Sequence, residues 1–125
     1  MILQNTVLKV MDNSGAKYAK CIKVLGGFKR SYAELGNVIV VSVVKLRNKS
    51  KVTSKVKKGE VYKALIIRTK KDLFLKGSQI SFCGNDICLL NKQCKPIATR
   101  IFGPLPKVLK KKKWIKITSL SSGFI

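Results

Sequence analysis

Histidine is absent from this 125-residue sequence, and Asp and Glu together number five. Each shortage removes a class of chemistry. Without an imidazole, a serine or cysteine nucleophile has no histidine to activate it, and a zinc site loses its mixed ligand sets. The acids Asp12, Glu34, Glu60, Asp72 and Asp86 stand singly, so no spacing supplies the paired carboxylates of acid–base catalysis. The four cysteines, Cys21, Cys83, Cys88 and Cys94, lack the close pairs of a zinc site. They read as buried or free thiols of a reducing compartment. No GxxxxGK[ST] phosphate loop occurs, since Gly26-Gly27 runs into Phe28-Lys29-Arg30, which suits a turn. The expectation is no enzyme, no metal, no cofactor and no small-molecule substrate.

Long apolar runs are missing too. The longest, Val38 to Val44, is broken by Ser42 and falls far short of the ~20 residues of a membrane span. The opening MILQNTVLKV carries a lysine inside its alternation and no small-residue cleavage site, so residue 1 reads as a native start without a signal peptide. With no basic amphipathic helix either, a membrane is not the expected partner.

What the chain does have is a core and a charge. Hydrophobic residues make up 46% of it, ordinary for a globular protein, and the length fits one domain over residues 1–125. Against that background, 27 Lys plus Arg give a net charge of +22. Such a surplus repels itself in a compact state, and condensing onto a polyanion relieves the repulsion. A nucleic acid is the expected partner.

Strand patterns dominate. Thr6 to Met11 alternates, Asp12-Asn13-Ser14-Gly15 signals a turn, and Lys17 to Leu25 resumes with Ala19, Cys21 and Leu25 on one side, predicting a hairpin. The β-branched run Val38 to Val44 predicts a central strand covered on most of both faces. Val61 to Thr69 predicts a core strand, and Gln79 to Phe82 and Ile87 to Leu90 two short ones around the turn Gly84-Asn85-Asp86. Several short strands separated by turns predict a small barrel. Between two of them, Lys45 to Lys58 carries dense positive charge without an apolar period, predicting an extended basic arm. Near the end, Leu105, Val108 and Leu109 fall on one helical face behind Pro104 and Pro106, predicting a short helix with Lys110 to Lys113 in its last turn. Trp114 to Thr118 alternates again and predicts an extended segment that packs Trp114 or Ile115 onto the body.

The stretch KVKKGEVYKALIIRTKK sets an apolar strand between lysine clusters. Its middle anchors the strand, and Lys55, Lys57, Lys58, Arg68, Lys70 and Lys71 are expected at the two barrel rims, where a pre-positioned cation contacts phosphate at low entropic cost. Lys17, Lys29, Arg30, Arg47, Lys49, Lys51, Lys110 and Lys111 complete the expected RNA-contacting set with Arg100, the best single candidate because its planar fork suits phosphate and stacked bases. Phe102 is expected in the core.

DNSGAK at Asp12 to Lys17, CIKVLGG at Cys21 to Gly27, KVKKGEVYKALIIRTKK at Lys55 to Lys71 and ATRIFGP at Ala98 to Pro104 occur in that order. Together they make the chain resemble large-subunit ribosomal protein fourteen of the bacterial type, end to end. The resemblance implies a five-stranded β-barrel with an added basic hairpin and a short C-terminal helical region over about 104–125. It also implies binding to large-subunit rRNA on the face that meets the small subunit, a share in bridges to small-subunit rRNA, and large-subunit proteins nineteen and three as neighbours. The sequence departs from the family pattern at Cys83 and Ala98, in KVLKKKK and in a longer loop from Leu46 to Ser54, mostly towards more positive charge. Arginine occurs only as Arg30, Arg47, Arg68 and Arg100; the excess of lysine, with its AT-rich codons, points to an organellar ribosome, mitochondrial by preference, with a bacterial cytoplasm as the alternative. The rival function is a free-standing OB-type single-strand binder that stacks bases on exposed aromatic side chains.

Overall fold

The computed structural model describes residues 2–27, 31–47, 55–71, 73–75, 77–110 and 114–125. Five strands close into a barrel: β2 (Val7–Val10), β3 (Ala16–Val24), β5 (Val38–Leu46), β6 (Val61–Arg68) and β9 (Asp86–Leu90), in the order β2-β3-β5-β6-β9. Neighbours run antiparallel except for the closing pair, β2 with β9, which is parallel. A two-stranded piece pairs β1 (Ile2–Leu3) with β4 (Tyr32–Ala33), and another pairs β7 (Leu73–Leu75) with β8 (Ser78–Ile80). The expected small barrel and its first hairpin are present.

Alternation builds the interior. Leu8 and Val10 of β2, Ala19 and Cys21 of β3, Ile39, Val41 and Val43 of β5, Ala64 and Ile66 of β6, and Ile87 and Leu89 of β9 share one buried cluster. Along β3 the period breaks: a register shift between Cys21 and Lys23 inserts an extra residue, so Val24 turns inward and Leu25 does not.

A second cluster lies outside the barrel. Leu65 and Ile67 on the outer side of β6, and Cys88 and Leu90 on that of β9, pack against Ile101, Leu105, Leu109, Trp114 and Ile117 of the C-terminal segment. The strands covered on both faces are therefore β6 and β9. Strand β5, expected in that role, alternates buried with half-buried residues because, among the described residues, nothing comparable lies over its outer side. Ala64, Leu65, Ile66 and Ile67, all buried, are an unbroken apolar run for this reason.

Three further expectations are corrected. The segments 79–82 and 87–90 do not pair with each other; β8 turns back onto β7, while β9 joins β6 and β2. The predicted helix after Pro106 is a single 3₁₀ turn, Lys107–Leu109, with Leu109 buried. WIKIT is not extended: Ile115–Thr118 forms the one-turn helix α1, since Trp114 and Ile117, three residues apart, both reach the second cluster. The tail then returns, with the Ile125 N–H donating to the Leu105 carbonyl at 2.8 Å.

Arg68, expected at a rim facing RNA, is instead 6% exposed. Its Nε lies 2.9 Å from Asp86 Oδ2, a charge contact without the alignment of a hydrogen bond, and its Nη2 donates to the Phe102 carbonyl at 2.7 Å. Burial pulls the guanidinium pKa down against the opposing pull of Asp86, and burial pushes the Asp86 carboxyl up against Arg68 and Lys9. The pair joins β6, β9 and the ATRIFGP segment, so Arg68 serves as a structural cation inside the protein. Removing one partner of such a pair leaves a buried charge alone. Asp86→Ala is expected to cost about 3 kcal/mol in urea unfolding, and Arg68→Met with Asp86→Leu clearly less.

Gly103 covers the guanidinium. Its φ of +83° disfavours a side chain, and a Cβ there would sit 2.2 Å from Arg68 Nη1. Gly59 has a similar φ of +86° but open space around it. Gly59→Ala is thus expected to cost about 1 kcal/mol of backbone strain and Gly103→Ala about 2 kcal/mol more, read from denaturant midpoints. Equal losses would remove the steric role of Gly103.

Candidate nucleic-acid interface

The C-terminal segment covers β6 and β9, leaving the outer wall of β2, β3 and β5 to carry polar side chains. Alternation turns Lys9 and Lys20 outward, and pairing aligns Lys9 with Tyr18 and Tyr18 with Lys45 across three strands. Three register shifts, at Ala16/Tyr18, Tyr18/Ala19 and Cys21/Lys23, enlarge the set. At each, two consecutive residues escape burial: Lys17 and Tyr18, Val44 and Lys45, Ile22 and Lys23. Each bulge therefore turns out one lysine that a regular ladder would have pointed inward or omitted.

These side chains frame a groove of about 360 Å³ lined by Lys9, Lys17, Lys45, Leu46 and Arg47. Among the described residues, no carboxylate lines it. The Lys17 ammonium stands 5.6 Å from the Tyr18 ring centre. Arg47 is fixed more firmly, with its guanidinium 5.1 Å from the Phe102 ring centre, Nη2 donating to the Val10 carbonyl at 3.4 Å, and its own N–H donating to Gly15 O at 3.0 Å. A planar cation held on a ring keeps its outer edge available for an anion at little entropic cost.

The basic arm leaves from the same place. Arg47 N–H bonds Gly15 O, and Lys55 N–H bonds Ser14 O at 2.8 Å, so both ends of the arm are tied to one turn. Val56 is buried, while Lys55, Lys57 and Lys58 are exposed around it. Lys49 and Lys51, between those two ends in sequence, lie outside the described residues, as do Lys29, Arg30 and Lys111.

Arg100 is placed by Asn13. The Asn13 carboxamide oxygen accepts from the Thr99 and Arg100 N–H groups at 2.9 and 3.1 Å, its nitrogen donates to Thr99 Oγ1, and its N–H donates to the Arg100 carbonyl. The exposed Arg100 side chain borders a cavity of about 440 Å³ shared with Phe102, Gly103, Leu120, Ser121 and Ser122. Phe102 is not a core residue: it is half-buried and serves as the support of Arg47, beside the Arg100 cavity.

The remaining expected contacts lie apart. Lys70 and Lys71 are exposed at the end of β6 opposite Lys57 and Lys58, and Lys71 Nζ reaches Glu34 at 3.4 Å, an exposed pair of little energetic weight. Lys110 is exposed, 5.6 Å from the Phe124 ring centre. Sequence reasoning missed Lys9, Lys20, Lys23 and Lys45. Strand alternation within VLKV was signal enough for Lys9, whereas Lys23 and Lys45 face outward through bulges that no local pattern announces.

The acids that are described are engaged within the chain. Asp12 accepts from Ser14 and from the Leu89 N–H, Glu34 pairs Lys71, Glu60 accepts from the Tyr62 hydroxyl, and Asp86 faces Arg68. Burial raises the thiol pKa of Cys21 and, far more, of Cys88, where the Asp12 charge adds to the effect. Among the described residues, no group of three or more His, Cys, Asp or Glu converges as a metal site would need.

Fold and surface together define a small basic β-barrel that presents cations from rigid strands on one outer wall. The model of the family described as Ribosomal protein L14p/L23e matches residues 1–125, and the chain belongs to that family. It is a structural constituent of the large ribosomal subunit.

The Asn13 clamp yields a test. Asn13→Ala deletes the side-chain acceptor of two amides, so hydrogen exchange at Thr99 and Arg100 should quicken about tenfold or more while barrel amides such as Val41 keep their protection. Unchanged exchange at both amides would remove Asn13 as the positioning residue for Arg100.

Proposed function

We infer that the protein binds large-subunit rRNA through the β2–β3–β5 wall, the base of the basic arm and Arg100, and that it contributes to bridges with small-subunit rRNA. The observation that carries this reading is the groove of Lys9, Lys17, Lys45 and Arg47, with no carboxylate among the described residues that line it. Lysines on strands neutralise phosphates and release counterions, which supplies affinity without reading sequence. Specificity comes from shape, since the deep narrow major groove of A-form RNA excludes side chains. No step of this function makes or breaks a covalent bond. Resemblance to the family supports large-subunit proteins nineteen and three as neighbours, and the lysine excess supports an organellar ribosome, mitochondrial by preference. Finding the gene in an AT-rich organellar genome is the expected result; an AT-rich bacterial genome supports the alternative of a bacterial cytoplasm, and a nuclear gene with a presequence overturns both.

The OB-type rival is disfavoured by the fate of its aromatics. Trp114 is buried against the barrel and offers no stacking face. Tyr18 and Tyr32 lie on different sheets. A stacking platform needs aromatic rings side by side along one groove.

Two measurements test the reading. In a lysate fractionated on a density gradient, the protein should stay with the large subunit through moderate salt washes. Release at low salt, or spreading over all RNA, supports the rival. With purified rRNA fragments, Lys9→Gln, Lys17→Gln and Lys45→Gln combined should flatten the slope of log K against log[salt] by about 2–3, close to 0.7–0.9 for each lost phosphate contact. An unchanged slope would place RNA elsewhere on the protein.

A further inference from the structure

The outer wall changes character where β5 passes to β6. Pairing aligns Lys23, Val40, Lys63 and Leu90 across four strands. Above that row lies a groove of about 350 Å³ with Val40, Val61, Tyr62 and Leu90 as its apolar lining. Leu90 belongs to the cluster that the C-terminal segment covers, but the cover stops there: Val61 is 59% exposed. Lys63 and Lys92 stand on the groove, and Lys92 is presented by a fixed turn in which the Asn91 carboxamide accepts from the Gln93 and Lys95 N–H groups at 2.9 Å each.

We propose that this groove receives an extended segment of a neighbouring protein, with apolar side chains over Val40, Val61 and Tyr62 and carboxylates that meet Lys63 and Lys92. The apolar floor argues against RNA, which would bring phosphates over uncharged valines. A second copy of this chain is ruled out by charge, because two chains of +22 repel. A carboxylate-bearing apolar strand satisfies both halves of the groove: burial of the valines supplies affinity, and the two lysines fix register and partner.

Incorporation of a photoreactive residue, Val61→p-benzoylphenylalanine, into the full chain within purified large subunits tests this directly. The expected adduct is a peptide that combines apolar residues with Asp or Glu, and Lys63→Glu with Lys92→Glu should lower its yield per incorporated chain about fivefold or more. Counting only incorporated chains removes any variant that fails to fold or assemble. An adduct to RNA, a peptide without acids, no adduct at all, or a yield indifferent to the two charge reversals would each overturn the proposal.

Discussion

One buried carboxylate ties the structure together. Asp12 is fully buried and accepts from the Ser14 N–H, the Ser14 hydroxyl and, across the barrel seam, the Leu89 N–H at 3.0 Å. A carboxylate so placed needs several donors to offset its desolvation. Those donors come from the β2–β3 turn and from β9, so satisfying the charge also brings together the parallel pair that closes the barrel. Its backbone bridges Ile101, which begins the covered C-terminal segment. The residues that follow extend the same junction: Asn13 clamps Thr99 and Arg100, and the carbonyls of Ser14 and Gly15 hold the two ends of the basic arm. A four-residue turn therefore joins closure of the barrel to placement of its cations.

Closure alone would leave a barrel alike on all sides. The asymmetry comes from the second apolar cluster, which takes β6 and β9 as its floor and withdraws their outer faces from solvent. The wall of β2, β3 and β5 is what remains, and its bulges raise its density of lysine. Bulges also bend and twist the strands, so curvature of the wall and outward aim of Lys17, Lys23 and Lys45 have one cause. Phe102 links the two halves: its carbonyl accepts from buried Arg68, and its ring supports Arg47. Of these two arginines, one neutralises an internal acid and the other faces outward, although both lie in stretches of dense positive charge.

That pair shows what a linear reading can and cannot reach. Alternation revealed the interior positions Ala19 and Cys21 because a regular ladder maps period two onto inside and outside. It failed at Leu25 and could not assign Lys45, where one extra residue reverses the phase. Lysine-rich flanks identified Lys55, Lys57 and Lys58 as surface residues, since Gly59 and Glu60 follow them into solvent. The same rule misplaced Arg68, because its partners Asp86 and Phe102 are distant in sequence and only the barrel brings them near. WIKIT was ambiguous in itself: Trp114 and Ile117 fit a helical turn as well as Ile115 and Ile117 fit a strand, and the position of the second cluster decides between them.

The charge balance gives the fold its dependence on a partner. With five acids in the chain, Asp12 buried and Asp86 half-buried in structural roles, intramolecular pairing cannot offset 27 cations. The two ion pairs seen among the described residues engage Arg68 and Lys71, leaving the groove cations facing one another. Rigid strands hold those like charges at fixed separations, so the free barrel stores repulsion that a disordered tail would relax by spreading. Binding to a polyanion converts that repulsion into attraction at each site, and a ligand that binds only the folded barrel stabilises it by mass action. The same rigidity that makes the lysine wall costly in isolation would make it selective for a polyanion, because fixed cations fit one arrangement of negative charges better than others.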